Sequence, residues 1–364
     1  MKKESVKRSL VFGIVVLFIC INIFSSTGTI LEKSTLSFDG KTLYVGGDGE
    51  GNYSKIQDAI DNASDGDTVF VFNGTYVENL VVNKSINLIG EDRNITFVDG
   101  NDKSTVVNVT ADYINVTDFT IQNGNKGFVV EANHSTISDN NISAGLACIK
   151  IGPPYYFSQN TFSNNILRSD IYGIIVWGFG SNIISGNIIR WYSEIGIHVV
   201  GNDNIISENT FLDSESTTMG DIFIDSGQGN LVINNTLVGS KGTGIRLHYA
   251  TTNTILGNTI SNKRYGIYIA LFSINNNISG NAILENRDGI IITYLSISNM
   301  VYRNNFINNN YSASFGFFSF LNNWDGNYWG RPRVFPYPII GRIGAFIPWV
   351  NFDWRPAQEK FGIP

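Results

Sequence analysis

From about residue 141 to residue 310, apolar side chains come in short bursts with a period of two, and each burst is broken by Gly, Asn, Asp or Ser. The bursts include Gly173-Ile-Ile-Val, Gly196-Ile-His-Val, Gly244-Ile-Arg-Leu, Gly266-Ile-Tyr-Ile and Gly289-Ile-Ile-Ile. Alternation at period two sends neighbouring side chains to opposite faces, so these segments are strands and not helices. A second phrase, "GNxI" or "NNxI", sets the spacing. It places Asn at 141, 165, 187, 209, 235, 258, 281 and 305, an interval of about 23 residues.

Strands this short, with no helical stretch between them, cannot build βαβ units, but they can wind as successive coils of a solenoid. The pattern therefore predicts an all-β fold, a right-handed parallel β-helix, with equivalent residues of adjacent coils stacked about 4.8 Å apart. Ile174, Ile197, Ile222, Ile245, Ile267 and Ile290 form the expected inward ladder. The Asn positions form a second ladder at the turns, where the amide bonds to the backbone and to the Asn of the next coil.

Read backwards, the repeat passes through "VTDFTI" and "RNITFV" to "TVFVFNG" and predicts coils over 67–314. Residues 42–66 read as an N-terminal cap, with a capping box at Ser54-Lys-Ile-Gln57 and Ile56, Ala59, Ile60 and Ala63 on one helical face. Residues 315–364 hold Trp324, Trp329, Trp349 and Trp354 and read as an irregular aromatic C-terminal cap, with packing the favoured role for these rings.

Lys2, Lys3, Lys7 and Arg8 precede an apolar run from Leu10 to Phe24 and then small residues, so residues 1–30 read as a signal peptide; an uncleaved membrane anchor is the alternative. Both readings put the chain outside the cytoplasm, secreted or on the cell surface. Sequons at Asn52, Asn73, Asn83, Asn115, Asn141, Asn277 and Asn310 fit an exported glycoprotein, although abundant Asn, Ser and Thr produce such triplets unaided. Cys20 lies in the leader and Cys148 stands alone, so no disulfide is expected to hold the exported part. A net charge of -6 disfavours a nucleic-acid partner and leaves extracellular polysaccharide or cell-envelope glycan as the expected one.

The segment "YSKIQDAIDNASDGDTVFVFNGTYVENLVVNKSINLIGE" (53–91), the repeated "GNxI…GIxI" coils and "NNWDGNYWGRP" (322–332) resemble the NosD-like β-helix proteins, within the carbohydrate-binding and sugar-hydrolase β-helix group. The resemblance implies the fold but not a chemistry, since this scaffold serves lyases, hydrolases, esterases and adhesins alike. It also implies copper handling, which the ligand inventory disfavours: His134, His198, His248, Cys148, Met219 and Met300 are the available soft or imidazole donors, and none are at ligand spacing. No metal site and no cofactor are expected. The opening is similar to that of pectin methylesterases, and Asp221-Ile-Phe-Ile faintly matches their catalytic strand, but the paired glutamines are missing. The motifs of polygalacturonases are missing too.

In register, the outward position of the "GIxI" strands carries Lys150, Ile175, His198, Phe223, Arg246, Tyr268 and Ile291. The outward position two residues on carries Trp177, Val200, Asp225, His248, Ala270 and Thr293. Trp177, His198, Phe223, Asp225, Arg246, His248 and Tyr268 are thus the candidate ligand-binding strip. Asp225 with His248 or Arg246 is the weaker candidate for catalysis, and a cross-strand charge ladder on a solvated face is the plainer account. The readings in order are a non-catalytic polysaccharide binder, a polysaccharide lyase or glycoside hydrolase, and a structural envelope or adhesion protein. Paired acids Asp99 with Asp102 and Asp48 with Glu50 read as turn residues and not as calcium ligands.

Overall fold

The structure is a computed structural model that describes residues 40–152, 157–178, 180–217, 219–239, 242–344 and 346–362. The expected signal peptide or anchor, with Cys20, lies outside the described residues. Among the described residues no helix is long and apolar enough to cross a membrane.

The chain is a right-handed parallel β-helix. One sheet contains thirteen parallel strands, one per coil, running from Thr42–Val45 through Thr136–Ser138 and Thr254–Leu256 to Asn323–Asp325. After it, each regular coil makes a short strand such as Ile188–Arg190 and then a longer "GIxI" strand such as Ile195–Val200. In the earlier coils these two merge into long bulged strands, Thr96–Val109, Thr120–Val130 and Asn141–Ile151. The predicted inward ladder is in register and wholly buried, with Ile174↔Ile197↔Ile222↔Ile245↔Ile267↔Ile290.

Glycine precedes five of the six ladder isoleucines for a steric reason; Asp221 precedes Ile222. A Cβ on Gly173 would fall 2.4 Å from the Gly196 carbonyl oxygen, and one on Gly244 would fall 2.6 Å from that of Gly266. A side chain does not fit at these two glycines without a shift of the next coil.

The Asn ladder exists, shifted by one residue at both ends. It runs Asn140, Asn165, Asn187, Asn209, Asn235, Asn258, Asn281, Asn304 and Asn327, so Asn140 and Asn304 take the places expected of Asn141 and Asn305. In each step the backbone N–H and the side-chain Nδ2 both donate to Oδ1 of the next Asn, as for Asn235 to Asn258 at 2.9 and 3.0 Å. Nδ2 also donates to a carbonyl one coil back, here Ile206 O at 2.8 Å. The series ends on a carboxylate: Asp353 accepts from Asn327 N–H, Asn327 Nδ2 and Trp329 Nε1. A second ladder runs parallel to it along another turn, through Asn160, Asn182, Asn204, Asn230, Asn253, Asn276, Asn299 and Asn322.

The ends differ from expectation. The strand Thr42–Val45 pairs with Thr68–Val71, so pairing begins ahead of residue 67 and the helix Ile56–Asn62 is inserted between two strands. That helix buries Ile56, Ala59 and Ile60 as predicted, but the Ser54 capping box does not form. Instead the carboxylate of Glu78 accepts from Ile56 N–H at 2.9 Å and Gln57 N–H at 3.0 Å. A negative group there both satisfies orphan donors and complements the helix dipole. At the other end Trp324 and Trp329 pack on the last coil, while the antiparallel hairpin Tyr337–Ile343 with Ile347–Asp353 leaves Trp349 exposed. Trp354, which follows the hairpin, is exposed too. Packing thus accounts for two of the four tryptophans. Of the seven sequon asparagines, Asn73, Asn83 and Asn310 are exposed.

Replacing Asn235 by Leu leaves the N–H and Nδ2 of Asn209 without that acceptor and takes one donor from the Ile206 carbonyl and one from that of Ile233, which still accepts from Glu208 N–H. At roughly 1 kcal/mol for each group that loses its partner, the expected loss is on the order of 2 to 3 kcal/mol. Chemical denaturation measures it, and a loss below about 1 kcal/mol would show that the ladder does not hold adjacent coils together.

Candidate functional site

The "GIxI" strands point their ladder isoleucines inward, so the residues between them face outward. Register places Lys150↔Ile175↔His198↔Phe223↔Arg246↔Tyr268↔Ile291 in one row. Beside it Trp177 pairs with Val200, and Asp225 pairs with His248 and, beyond that, Ala270. All seven candidate residues therefore stand on one face, over five strands or about 19 Å.

The side chains interlock. Lys150 Nζ lies 5.8 Å from the Trp177 ring, Trp177 meets His198 edge-on at 5.9 Å, and His198 stacks on Phe223 at 5.1 Å and 2°. The Phe223 ring meets His248 edge-on at 5.1 Å, and the Arg246 guanidinium sits between Phe223 and Tyr268 at 5.5 and 5.3 Å. This packing half-buries the face and makes Phe223 almost inaccessible at 6% exposure. Two polar atoms in it, Trp177 Nε1 and His198 Nε2, are buried and have no hydrogen-bond partner among the described residues.

Arg246 Nε donates to His248 Nε2 at 2.8 Å. That bond requires an unprotonated Nε2, and burial followed by the Arg246 charge pulls His248 down from 6.5 to about 4. His198 is also lowered, by burial against the opposing pull of Asp225. Asp225 accepts from Ser226 Oγ at 3.4 Å, and among the described residues no hydrogen bond joins it to His248. The three catalytic candidates are brought together, but not as an Asp–His dyad. Asp221, the residue matched to the esterase strand, is wholly buried; Lys263 Nζ is 2.6 Å from its Oδ2, and Tyr192 Oη donates to its Oδ1 at 2.6 Å. It cannot meet a substrate. Asp99 accepts from Asn101 N–H, Gln122 and Asn123 within its own turn region.

Sequence reasoning missed an aromatic series just past these strands. Tyr249 stacks with Phe272 and Tyr294 with Phe317, at 6.3 and 4.7 Å, and all four rings are 41–54% exposed. The signal was present as Tyr249 and as the apolar pairs Leu271-Phe272, Tyr294-Leu295 and Phe317-Phe318 just past the strand phrases.

Comparison with known proteins gives the family. The family model described as periplasmic copper-binding protein (NosD) matches residues 60–241 and 196–334, more than half of the chain. The chain belongs to the NosD family. A cell surface glycoprotein of Methanothermus fervidus is 30% identical over 214 residues, 53% of this chain and 35% of that protein, so the chain spans about a third of this relative's length. With a periplasmic family and a cell-surface relative, the NosD-family chain is a secreted or cell-surface protein. Among solved structures, the A-modules of the Azotobacter vinelandii mannuronan C-5 epimerases AlgE4 and AlgE6 superpose with TM-scores of 0.64 and 0.58. Their identities are 15% and 14%; they cover 80% and 84% of this chain, and 94% and 91% of their own. At such identity they show the shared β-helix alone.

The donor set of this NosD-family chain does not fit copper. Among the described residues no three His, Cys, Asp or Glu side chains come together. The Phe223 ring stands between His198 and His248, and His134 stacks on Tyr113 elsewhere. Burial raises the Cys148 thiol far above its ordinary value, which opposes the thiolate a copper ion needs. Purified protein is expected to show no stoichiometric submicromolar binding of Cu(I) or Cu(II) by competition titration; saturable binding abolished by His198→Ala or His248→Ala would overturn this.

A depressed histidine also sets a pH dependence. The folded state holds His248 unprotonated down to about pH 4, whereas the unfolded chain takes up a proton near 6.5, so stability falls as pH drops from 6.5 towards 4. Melting temperatures should decline across that window, and His248→Gln should flatten the decline. An identical slope in the variant would contradict the assignment.

Proposed function

We propose that this chain is a surface β-helix that binds extracellular polysaccharide along the Trp177–Tyr268 face without cleaving it. The observation that carries the reading is the continuous aromatic and guanidinium face itself, in which Trp177 and His198 also keep ring nitrogens without a partner among the described residues. Buried polar atoms normally find partners, and aromatic rings with hydrogen-bonding edges suit sugar rings, which present C–H faces and hydroxyl rims. The absence of cleavage is supported by the state of His248: its Nε2 lone pair is committed to Arg246, and Asp225 does not orient it. General acid–base work needs a group free to take and return a proton. A cell-surface relative, and structural neighbours named for mannuronan, agree with a glycan partner.

A glycan array read together with a reducing-end assay tests the proposal. The protein should bind a polysaccharide and release no reducing ends. The double variant Trp177→Ala, Tyr268→Ala should lose about 2 kcal/mol of binding while still unfolding in one cooperative transition, and Asp225→Asn should change affinity only modestly. Turnover abolished by Asp225→Asn would replace binding with catalysis. Full affinity in the double variant would remove the face from the site.

A further inference from the structure

A cleft of about 520 Å³ lies away from the Trp177–Tyr268 face, the ridge of the proposed glycan site, and none of the ridge residues lines it. Its walls include Asp102, Asn125, Ser143, Arg168, Asp170 and Trp191. It opens where the bulged early strands give way to regular coils, at the register shifts between Ile142, Ala144 and Ala147.

Register stacks Ser143↔Arg168↔Arg190, so two guanidinium-bearing residues sit one strand spacing apart. Both lean on one indole: the Arg168 guanidinium is 4.9 Å and that of Arg190 5.9 Å from the Trp191 ring. Like charges directly across a parallel pair are unfavourable unless something between them is negative. Arg190 has Asp213 at 3.5 Å. Arg168 has no ion pair and no side-chain hydrogen bond among the described residues, and its Nε is buried without a partner. Trp191 itself holds a φ of 58° and is 51% exposed. A left-handed backbone is costly for a bulky aromatic residue, and this one gains little burial in return.

We infer that this cleft binds a uronic-acid-bearing saccharide, with the sugar carboxylate on the Arg168 fork, the Arg190 charge beside it and the ring against Trp191. A guanidinium stacked on an indole keeps its N–H edge free, and that edge matches a carboxylate with two parallel bonds. Asn125, Ser143 and Asp170 supply the partners that hydroxyl groups need. The carboxylates of Asp102 and Asp170 favour a monoanionic sugar acid over phosphate, whose second charge they would repel. This goes beyond the ridge reading, since it rests on different residues and names the ligand's charge.

Calorimetric titration of the purified full chain with hexagalacturonate and with its methyl ester tests it. The free acid should bind, and esterification should weaken binding at least tenfold. Arg168→Gln and Trp191→Ala should each weaken it at least tenfold, Arg168→Lys should recover only part of the loss, and the ridge double variant Trp177→Ala, Tyr268→Ala should bind as the parent does. Should Arg168→Gln fail to fold, Trp191→Ala carries the test, because that ring is largely solvent-exposed. The inference is overturned if the acid does not bind, if the ester binds equally, or if either folded cleft variant keeps full affinity. It is also overturned if inorganic phosphate binds the cleft more tightly than the acid, or if the loss appears in the ridge variant instead. A failure of the ridge reading, seen as full glycan-array affinity in the ridge variant, leaves each of these readouts intact.

Discussion

What the fold depends on is the pairing of buried backbone groups at the turns. Between strands the parallel ladder satisfies them, but each coil must turn, and a turn removes its own N–H and C=O groups from that ladder. Two columns of Asn make good the deficit. Each amide has an acceptor that takes two donors from the coil before and an NH₂ that returns to carbonyls behind, so no member is left unsatisfied within the stack. The difficulty moves to the ends, where a column would leave an acceptor missing. Asp353 closes the first column with an acceptor that has no N–H of its own to satisfy, and it simultaneously ties down Trp329.

Such a scaffold was legible because its constraint repeats. The inward isoleucines and the outward row follow from alternation alone, once Gly fixes the bend, and the register of five successive strands needed no further information. Phase at the Asn column was less legible. Asn140-Asn141 and Asn304-Asn305 are doublets, and a repeat phrase cannot say which member faces the core; hydrogen-bond geometry selects the first. The second column was hidden because its neighbours vary, as in Ser181-Asn182, Asp203-Asn204 and Gly229-Asn230, so no fixed phrase marks it. Glu78 as a helix cap was illegible for another reason: it lies 22 residues from Ile56 and reaches the helix only through the coil.

The same division explains why the sites were only partly legible. A ridge on regular strands inherits their register, so Asp225 and His248 could be paired on paper. Their chemistry could not, because it turns on a bond within one strand, from Arg246 to His248, and on how far aromatic neighbours exclude water from both. Arg168, Arg190 and Trp191 lie on regular coils, but the cleft's other wall, with Asp102 and Asn125, arises where regularity fails. The bulged strands shift register between Asp99 and Lys103 and again between Ile142 and Ala147, and a period-based reading has no phase to offer there.

Fold and surface chemistry are separable in this chain for a structural reason. The repeated Gly, inward Ile and ladder Asn of this chain are the positions the coil needs in order to stack, and they are buried. The outward positions bear no such load, so one coil can present Lys150, the next Ile175 and the next His198 without disturbing the ladder beneath. The repeat therefore constrains the inside of the solenoid and leaves its outward positions free. On this surface the freedom has gone to aromatic rings and guanidinium groups, whose mutual stacking keeps charges such as Arg168 and Arg246 partly dehydrated at fixed places. A charge held in that way is stronger toward a partner than one in bulk water, because part of its desolvation is already met by the fold.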